Sequence, residues 1–279
     1  MQYFLLVLVA VFLSSQQIIQ KQYNIKEKSP DAFLFSALTS VTAAVFFAAA
    51  SGFRLSFTAA LLPYSAGFAI AYGAACVGLV LALKYGSLAI SSLVISYSLL
   101  IPAMYGVIFL KEPLSAFGYA GIVLLLISLF LLNAKNEKFD FSWKWLVFIV
   151  IAFIGNGMCS TIQKMQQLKF DGSCKNEFMI IALILAAVII FAAAFAQGGR
   201  KRSLPFKYAV PNGICNGFVN LLVMILIGLI PNAILFPSIS AGGIALSCIT
   251  AIFIFKEKLT KIQAIGYITG ILSVVLLNL

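Results

Sequence analysis

Lys111-Glu112-Pro113-Leu114-Ser115 returns 145 residues later as Lys256-Glu257-Lys258-Leu259-Thr260. The match continues in register: Gly121 falls on Gly266, Ser128 on Ser273, and Leu131-Leu132-Asn133 on Leu276-Leu277-Asn278. Leucine pairs carry little information in so apolar a chain. Glu112 and Glu257 carry more, because there are only eight acids. The repeat divides the chain into two diverged copies, residues 1–138 and 139–279. Duplicated halves in a membrane chain point to a transporter with its site between them.

Composition supplies the membrane. Of 279 residues, 62% are apolar and 10% charged, where a soluble domain has about 25% charged. Backbone groups inside lipid must pair internally, which leaves helices or closed barrels. Runs such as Leu124–Leu132 and Ile180–Phe195 are too uniformly apolar for alternating barrel strands. The chain therefore reads as an all-α integral membrane protein, multi-pass in the plasma membrane. Ten spans follow: 2–22, 31–50, 59–83, 87–110, 114–133, 143–165, 176–197, 206–228, 231–255 and 259–278. Ser29-Pro30-Asp31 suits the start of the second span and Pro231 the first turn of the ninth. No basic residue precedes the first span, so it reads as a retained helix and not a signal peptide.

Each half holds five spans. Because five is odd, the second copy enters the membrane from the opposite face. The two five-helix repeats are then inverted, about a pseudo-two-fold axis in the membrane plane. The first and sixth spans correspond as well. Both turn polar after an apolar start and end on Gln-Lys, at Gln20-Lys21 and Gln163-Lys164.

The inventory excludes most chemistry. Histidine is absent, and all eight acids lie in loops or at span ends. Ser-His-Asp and Cys-His catalysis cannot be assembled, and no mid-membrane carboxylate stands ready to carry a proton. The chain reads as a non-enzyme, with no cofactor or metal expected. The five cysteines read as small buried residues. The net charge of +11 is assigned to lipid headgroups and not to nucleic acid.

Leu83-Lys84-Tyr85-Gly86, Pro102, Glu112-x-Leu-Ser and Gly121, repeated as Pro237, Glu257-x-Leu-Thr and Gly266, carry a family likeness. They resemble the repeat of the drug/metabolite transporter superfamily, EamA type, and the likeness covers nearly the whole chain. The resemblance implies a ten-helix carrier with two inverted five-helix repeats. The first, third and fourth helices of each half would surround a central cavity. The last helix of each half would serve packing or a homodimer. The chain departs from relatives in lacking an arginine within the second helix. It also carries Gln16, Gln17 and Gln20 where small multidrug relatives have a glutamate.

Candidate cavity residues follow from polarity at helical spacing. Gln16 and Gln20 are four apart and share a face, as do Asn156, Ser160 and Gln163. Amides facing lipid cost a few kcal/mol each, so these must face protein or water. A single one reads as helix–helix glue, worth about 1 kcal/mol. Two matching polar half-helices read as cavity walls. Asn212, Asn216 and Asn220 form an amide stripe in the eighth span. Tyr72 in the third span and Ser96 and Tyr97 in the fourth complete the set. Pro102 and Pro237 are candidate hinges, with packing kinks as the alternative. Glu112 and Glu257 read as structural turn residues, capping or pairing locally. Lys21 and Lys164 read as snorkelling to headgroups, with attraction of an anionic substrate group as the lesser alternative.

Five basic residues (Arg54, Lys111, Lys164, Lys169 and Lys175) follow even-numbered spans, and the other fourteen of nineteen follow odd ones. The positive-inside rule then puts both termini outside, whereas the resemblance implies both inside. The expected function is secondary transport or facilitation of a small neutral or zwitterionic metabolite, amino-acid-like. Its expected partners are that small molecule and membrane lipid. The alternative is a lipid-handling or accessory protein with a laterally open cavity.

Overall fold

A computed structural model describes residues 2–27, 31–82, 85, 88–133, 142–196, 204–249 and 260–277. Glu257 and the neighbouring Lys-Glu-Lys-Leu turn lie outside the described residues, as do Lys84 and Gly86 of the repeated motif. The described residues form eleven α-helices and no strand. These are α1 (Gln2–Lys26), α2 (Ala32–Ala50), α3 (Leu62–Ala82), α4 (Leu88–Tyr97), α5 (Leu100–Ile108) and α6 (Ala116–Asn133) in the first half. The second half holds α7 (Trp143–Lys169), α8 (Lys175–Ala196), α9 (Phe206–Ile227), α10 (Asn232–Ile249) and α11 (Lys261–Leu277). Among the described residues, six helices are long and apolar enough to cross a membrane: α1, α2, α3 with the turn before it, α7, α8 and α9.

The sequence reads one span over residues 87–110, and there the structure has two helices, α4 and α5. Pro102 is the cause. It has no N–H to offer the Ser98 carbonyl four residues earlier. Ile101 N–H donates to that carbonyl instead, at 3.0 Å, and the chain turns through Ser98-Leu99. Pro237 has no such effect, and α10 continues through it.

Helix starts follow the local sequence. The Asp31 carboxylate accepts from Phe33 N–H at 3.0 Å and Leu34 N–H at 3.1 Å, capping α2. The Ser and Thr that close the repeated motif are caps too. Ser115 Oγ accepts from Gly118 N–H at 3.0 Å ahead of α6, and Thr260 Oγ1 accepts from Gln263 N–H at 3.2 Å ahead of α11. Thr260 N–H in turn donates to Gln263 Oε1, closing a capping box.

Packing obeys an exchange rule. α3 lies on α7 as α9 lies on α1, and α2 lies on α9 as α8 lies on α3. α5 meets α10, α6 meets α11 and α2 meets α8. Swapping each helix for its mate in the sequence repeat leaves these larger contacts unchanged, while the smaller α7–α9 contact has no α1–α3 match of similar extent. Directions follow from contacting residues. Phe12 stacks on Phe218 and Tyr23 packs on Tyr208, so α1 is antiparallel to α9. α7 runs antiparallel to α3 (Gly78 against Phe148, Gly155 against Ala71), and α3 parallel to α8 (Ser65 on Phe178, Gly73 against Ile189). α8 runs antiparallel to α2 (Phe178 with Phe47, Ile190 with Leu34) and α2 parallel to α9 (Thr39 on Asn212, Phe46 against Gly217), so α7 is parallel to α9.

The tight crossings use small residues, as expected where lipid removes the usual hydrophobic driving force. A Cβ on Gly155 would lie 2.5 Å from the Ala71 carbonyl oxygen, and one on Gly78 would lie 2.9 Å from that of Phe148. A buried cluster of Phe47, Phe68, Phe178, Met179 and Leu183 fills the space among α2, α3 and α8. Large apolar side chains also stripe the outside. Val123, Ile127 and Phe130 of α6 and Ile265, Ile268, Leu272 and Val275 of α11 are exposed at helical spacing. Such stripes suit a hydrocarbon solvent.

Candidate functional site

A chain of amides joins both halves. Gln163 Nε2 on α7 donates to Asn220 Oδ1 on α9 at 2.9 Å. Asn220 Nδ2 donates back along its own helix to the Asn216 carbonyl at 2.9 Å and to Asn216 Oδ1 at 3.1 Å. Asn216 Nδ2 in turn donates to Gln16 Oε1 on α1 at 3.4 Å. All donors point one way, from α7 through α9 to α1. The last donor of the series, Gln16 Nε2, is buried and has no protein partner. One turn earlier on α9, Asn212 Nδ2 donates to Thr39 Oγ1 of α2 at 3.2 Å, and its Oδ1 is likewise buried and unpaired. Ser14 Oγ on α1 is a third such atom. Unmade bonds of this kind cost about 1–3 kcal/mol each unless something fills them.

The depth is informative. Asn216 sits ten residues after the start of α9 and eleven before its end. At about 1.5 Å per residue it is about 15 Å from either end. Tyr72 is the central residue of α3 and Asn156 the central residue of α7. Asn156 Nδ2 donates to Ser98 Oγ at 2.6 Å, at the break between α4 and α5. The middle of the bundle is thus its polar layer, and the broken helix lies in it.

The sequence candidates divide accordingly. Gln16, Gln163, Asn216 and Asn220 are brought into one chain, and Asn212 stands beside it, turned to α2. Asn156 pairs separately with Ser98. Ser160 is half-buried on α7 between Asn156 and Gln163. Tyr72 is half-buried and stacks on Phe68, next to Ser40 of α2. Tyr97 turns outward from this layer: its hydroxyl donates to the Leu126 carbonyl of α6 at 2.9 Å. Ser96 lines the small groove there with Tyr97, Leu125, Leu129 and Pro237. Gln20 is exposed and stands outside the amide chain.

Lys164 corrects the sequence reading. It does not snorkel to the surface. It is 7% exposed, and its Nζ lies 3.2 Å from Glu112 Oε1 and donates to the Ile227 carbonyl at 3.3 Å. Glu112 Oε2 accepts from Ala233 N–H at 3.1 Å, in the first turn of α10. Glu112 therefore pairs and caps, but across the halves and not within its own turn. The helix dipoles agree with both charges: the cation meets the C-terminal end of α9 and the anion the N-terminal end of α10. Local backbone sets this up. Lys111 takes a φ of +52°, and Glu112 N–H folds back to the Gly106 carbonyl at 3.0 Å. A Cβ on Gly106 would collide with the Glu112 carboxylate, so only glycine leaves room for it there. Asn232, the first residue of α10, is fully buried beside Gly106, and both its side-chain Nδ2 and Oδ1 lack partners.

No protein-family model matches the chain. An uncharacterized protein from Haemophilus influenzae is 25% identical over 182 residues, covering 63% of this chain and 62% of that protein. The chain thus matches somewhat less than two thirds of that relative's length. A solved crystal structure is similar with a TM-score of 0.76 at 16% identity, over 97% of this chain and 98% of the other. At that identity the likeness is one of fold.

Proposed function

We infer that the chain is a secondary carrier of the EamA-type drug/metabolite transporter kind, built from ten spans in two inverted five-helix repeats. It moves a small neutral or zwitterionic metabolite, amino-acid-like, through a site between the repeats. The amide chain from Gln163 to Gln16 carries this reading. It passes through Asn216 near the middle of α9, joins helices of both halves, and leaves an unpaired donor on Gln16 and an unpaired acceptor on Asn212. A solute bearing hydroxyl, amide or amino-acid groups would satisfy both. Two further observations support the inverted architecture. The larger helix contacts keep their pattern when repeat mates are exchanged, and the mates α1 and α7 run antiparallel and parallel to the same helix, α9. The break at Pro102 would serve as a hinge for alternating access.

The test is flux. Purified protein in liposomes is expected to accumulate at least one labelled amino acid, sugar or nucleoside without ATP, and protein-free liposomes are not. Absence of flux across all three classes, together with no ligand-dependent rise in melting temperature, sinks the reading. A lipid-handling role has one observation in its favour. A cleft of about 320 Å³ lined by Gln2, Tyr3, Pro113, Pro231 and Leu277 opens at the end of the bundle near Glu112. Tightly co-purifying lipid that retains its place in this cleft, with no solute flux, would favour that role instead.

A further inference from the structure

The knot around Glu112 and Lys164 closes one end of the bundle, directly beyond the amide chain, since Lys164 follows Gln163. Its two charges come from different halves: Glu112 follows α5 and Lys164 belongs to α7. Parting the halves here must separate a buried cation from a largely covered anion. Leaving either ion alone in a dry interior is the most costly arrangement available to it. An uncharged solute cannot relieve that cost, and a singly charged solute relieves half of it.

We propose that the Glu112–Lys164 pair is a receptor for a zwitterion, taking an α-amino acid by exchange of partners. The inference rests on the carrier reading above and names the substrate class of that carrier. The substrate carboxylate takes the place of Glu112, meeting Lys164 Nζ and the N–H groups that open α10, where Ala233 already donates to a carboxylate. The substrate ammonium takes the place of Lys164, meeting the Glu112 carboxylate and the Ile227 carbonyl that Lys164 now occupies. Asn232 stands by with one unpaired donor and one unpaired acceptor, fully buried, matching one group of each kind. The number of buried charge pairs rises from one to two, and no charge is left alone at any point. The knot therefore yields to a molecule carrying both charges and resists one carrying neither.

The experiment uses the full chain in liposomes with labelled L-serine, L-leucine and L-phenylalanine. Beside each go its amide, which keeps only the ammonium, and its des-amino acid, which keeps only the carboxylate. Glucose and uridine are the uncharged controls. At least one amino acid is expected to cross about tenfold faster than its amide and its des-amino acid, the ratio that one unrelieved buried charge readily produces. Glu112→Gln and Lys164→Gln are each expected to lower that flux by about tenfold or more, for the same reason. The double variant E112Q/K164Q has no charges to separate. It is expected to admit amino acid and amide at rates within about threefold of each other, as a site without electrostatic discrimination should. If the single variants do not fold, the wild-type ratio and the double variant decide. Equal flux of amino acid and amide through the wild type overturns the proposal, as does a double variant that keeps the wild-type ratio. Flux of glucose or uridine alone overturns it while leaving the carrier reading intact. Absence of all flux overturns both.

Discussion

Ser128 Oγ donates to the Gly266 carbonyl at 2.6 Å, and seven residues earlier on the same helix Gly121 lies against the Ser273 carbonyl. In the sequence repeat Gly121 is the counterpart of Gly266 and Ser128 that of Ser273. Each residue therefore touches the counterpart of the other, as residues do across a two-fold axis. The pairing also runs antiparallel, because moving forward on α6 means moving back on α11.

That contact sets a stability prediction. A Cβ on Gly121 would lie 2.9 Å from Leu277 Cγ and 3.0 Å from its backbone nitrogen. Gly121→Val is expected to destabilise the protein by about 1–3 kcal/mol through overpacking. Ser128→Ala is expected to cost only about 0.6 kcal/mol, as single interhelical hydrogen bonds do. Unfolding in detergent, followed by circular dichroism, measures both. A reversed order would mean that the hydrogen bond, not the close approach, holds α6 to α11.

Gly155 offers a sharper case, since the obstacle is the backbone of α3 and cannot rotate away. Gly155→Ala is expected to lower the melting temperature, whereas Gly243→Ala, with nothing within 4 Å of the added carbon, is expected to leave it unchanged or raise it slightly. Equal effects at the two positions would refute the close α3–α7 crossing.

Asn220 is the branch point of the amide chain, accepting from Gln163 and donating to Asn216. Asn220→Leu removes the acceptor of Gln163 Nε2 and the donor to Asn216 Oδ1, at a cost of about 1–2 kcal/mol. On the proposed carrier function, flux of the solute is expected to fall by about tenfold, since the wall of the site is then apolar. A variant that unfolds more easily yet carries solute at the wild-type rate would reduce the chain to structural glue.

Pro102→Ala restores an N–H facing the Ser98 carbonyl and removes the cause of the break between α4 and α5. The variant is expected to melt higher while transporting several-fold more slowly, because the regained helical bond resists bending. Initial rates in liposomes and melting curves read the two effects. Unchanged transport would show that the break is a packing feature and not a hinge.

The helical class was legible in the sequence, and the Ser115 and Thr260 caps show why. A cap is a local device whose geometry is written within four residues. The amide stripe was legible only in part. A step of four residues turns a helix by about 400°, or 40° past a full turn. Over the eight residues from Asn220 to Asn212 the drift reaches about 80°, enough to carry Asn212 away from α7 and round to Thr39 of α2. Gln20 is displaced from Gln16 by one such step on α1, a helix that packs mainly on α9 and α10. The partners of Lys164 were not legible. Glu112 stands 52 residues away in the other half, and only the packing of α5, α7 and α10 brings the two together. The snorkelling rule failed because the end of α7 meets protein and not lipid.

The α6–α11 interface also bears on synthesis. α6 is complete at Asn133, and its partner begins at Lys261. At about 5–20 residues per second the nascent chain needs about 6–25 s to make the intervening stretch. Throughout that interval Gly121 and Ser128 present to the lipid or the insertion machinery a polar, grooved face that fits only a helix not yet made. The order of manufacture thus runs against the order of assembly: the first half is made first but is sealed last.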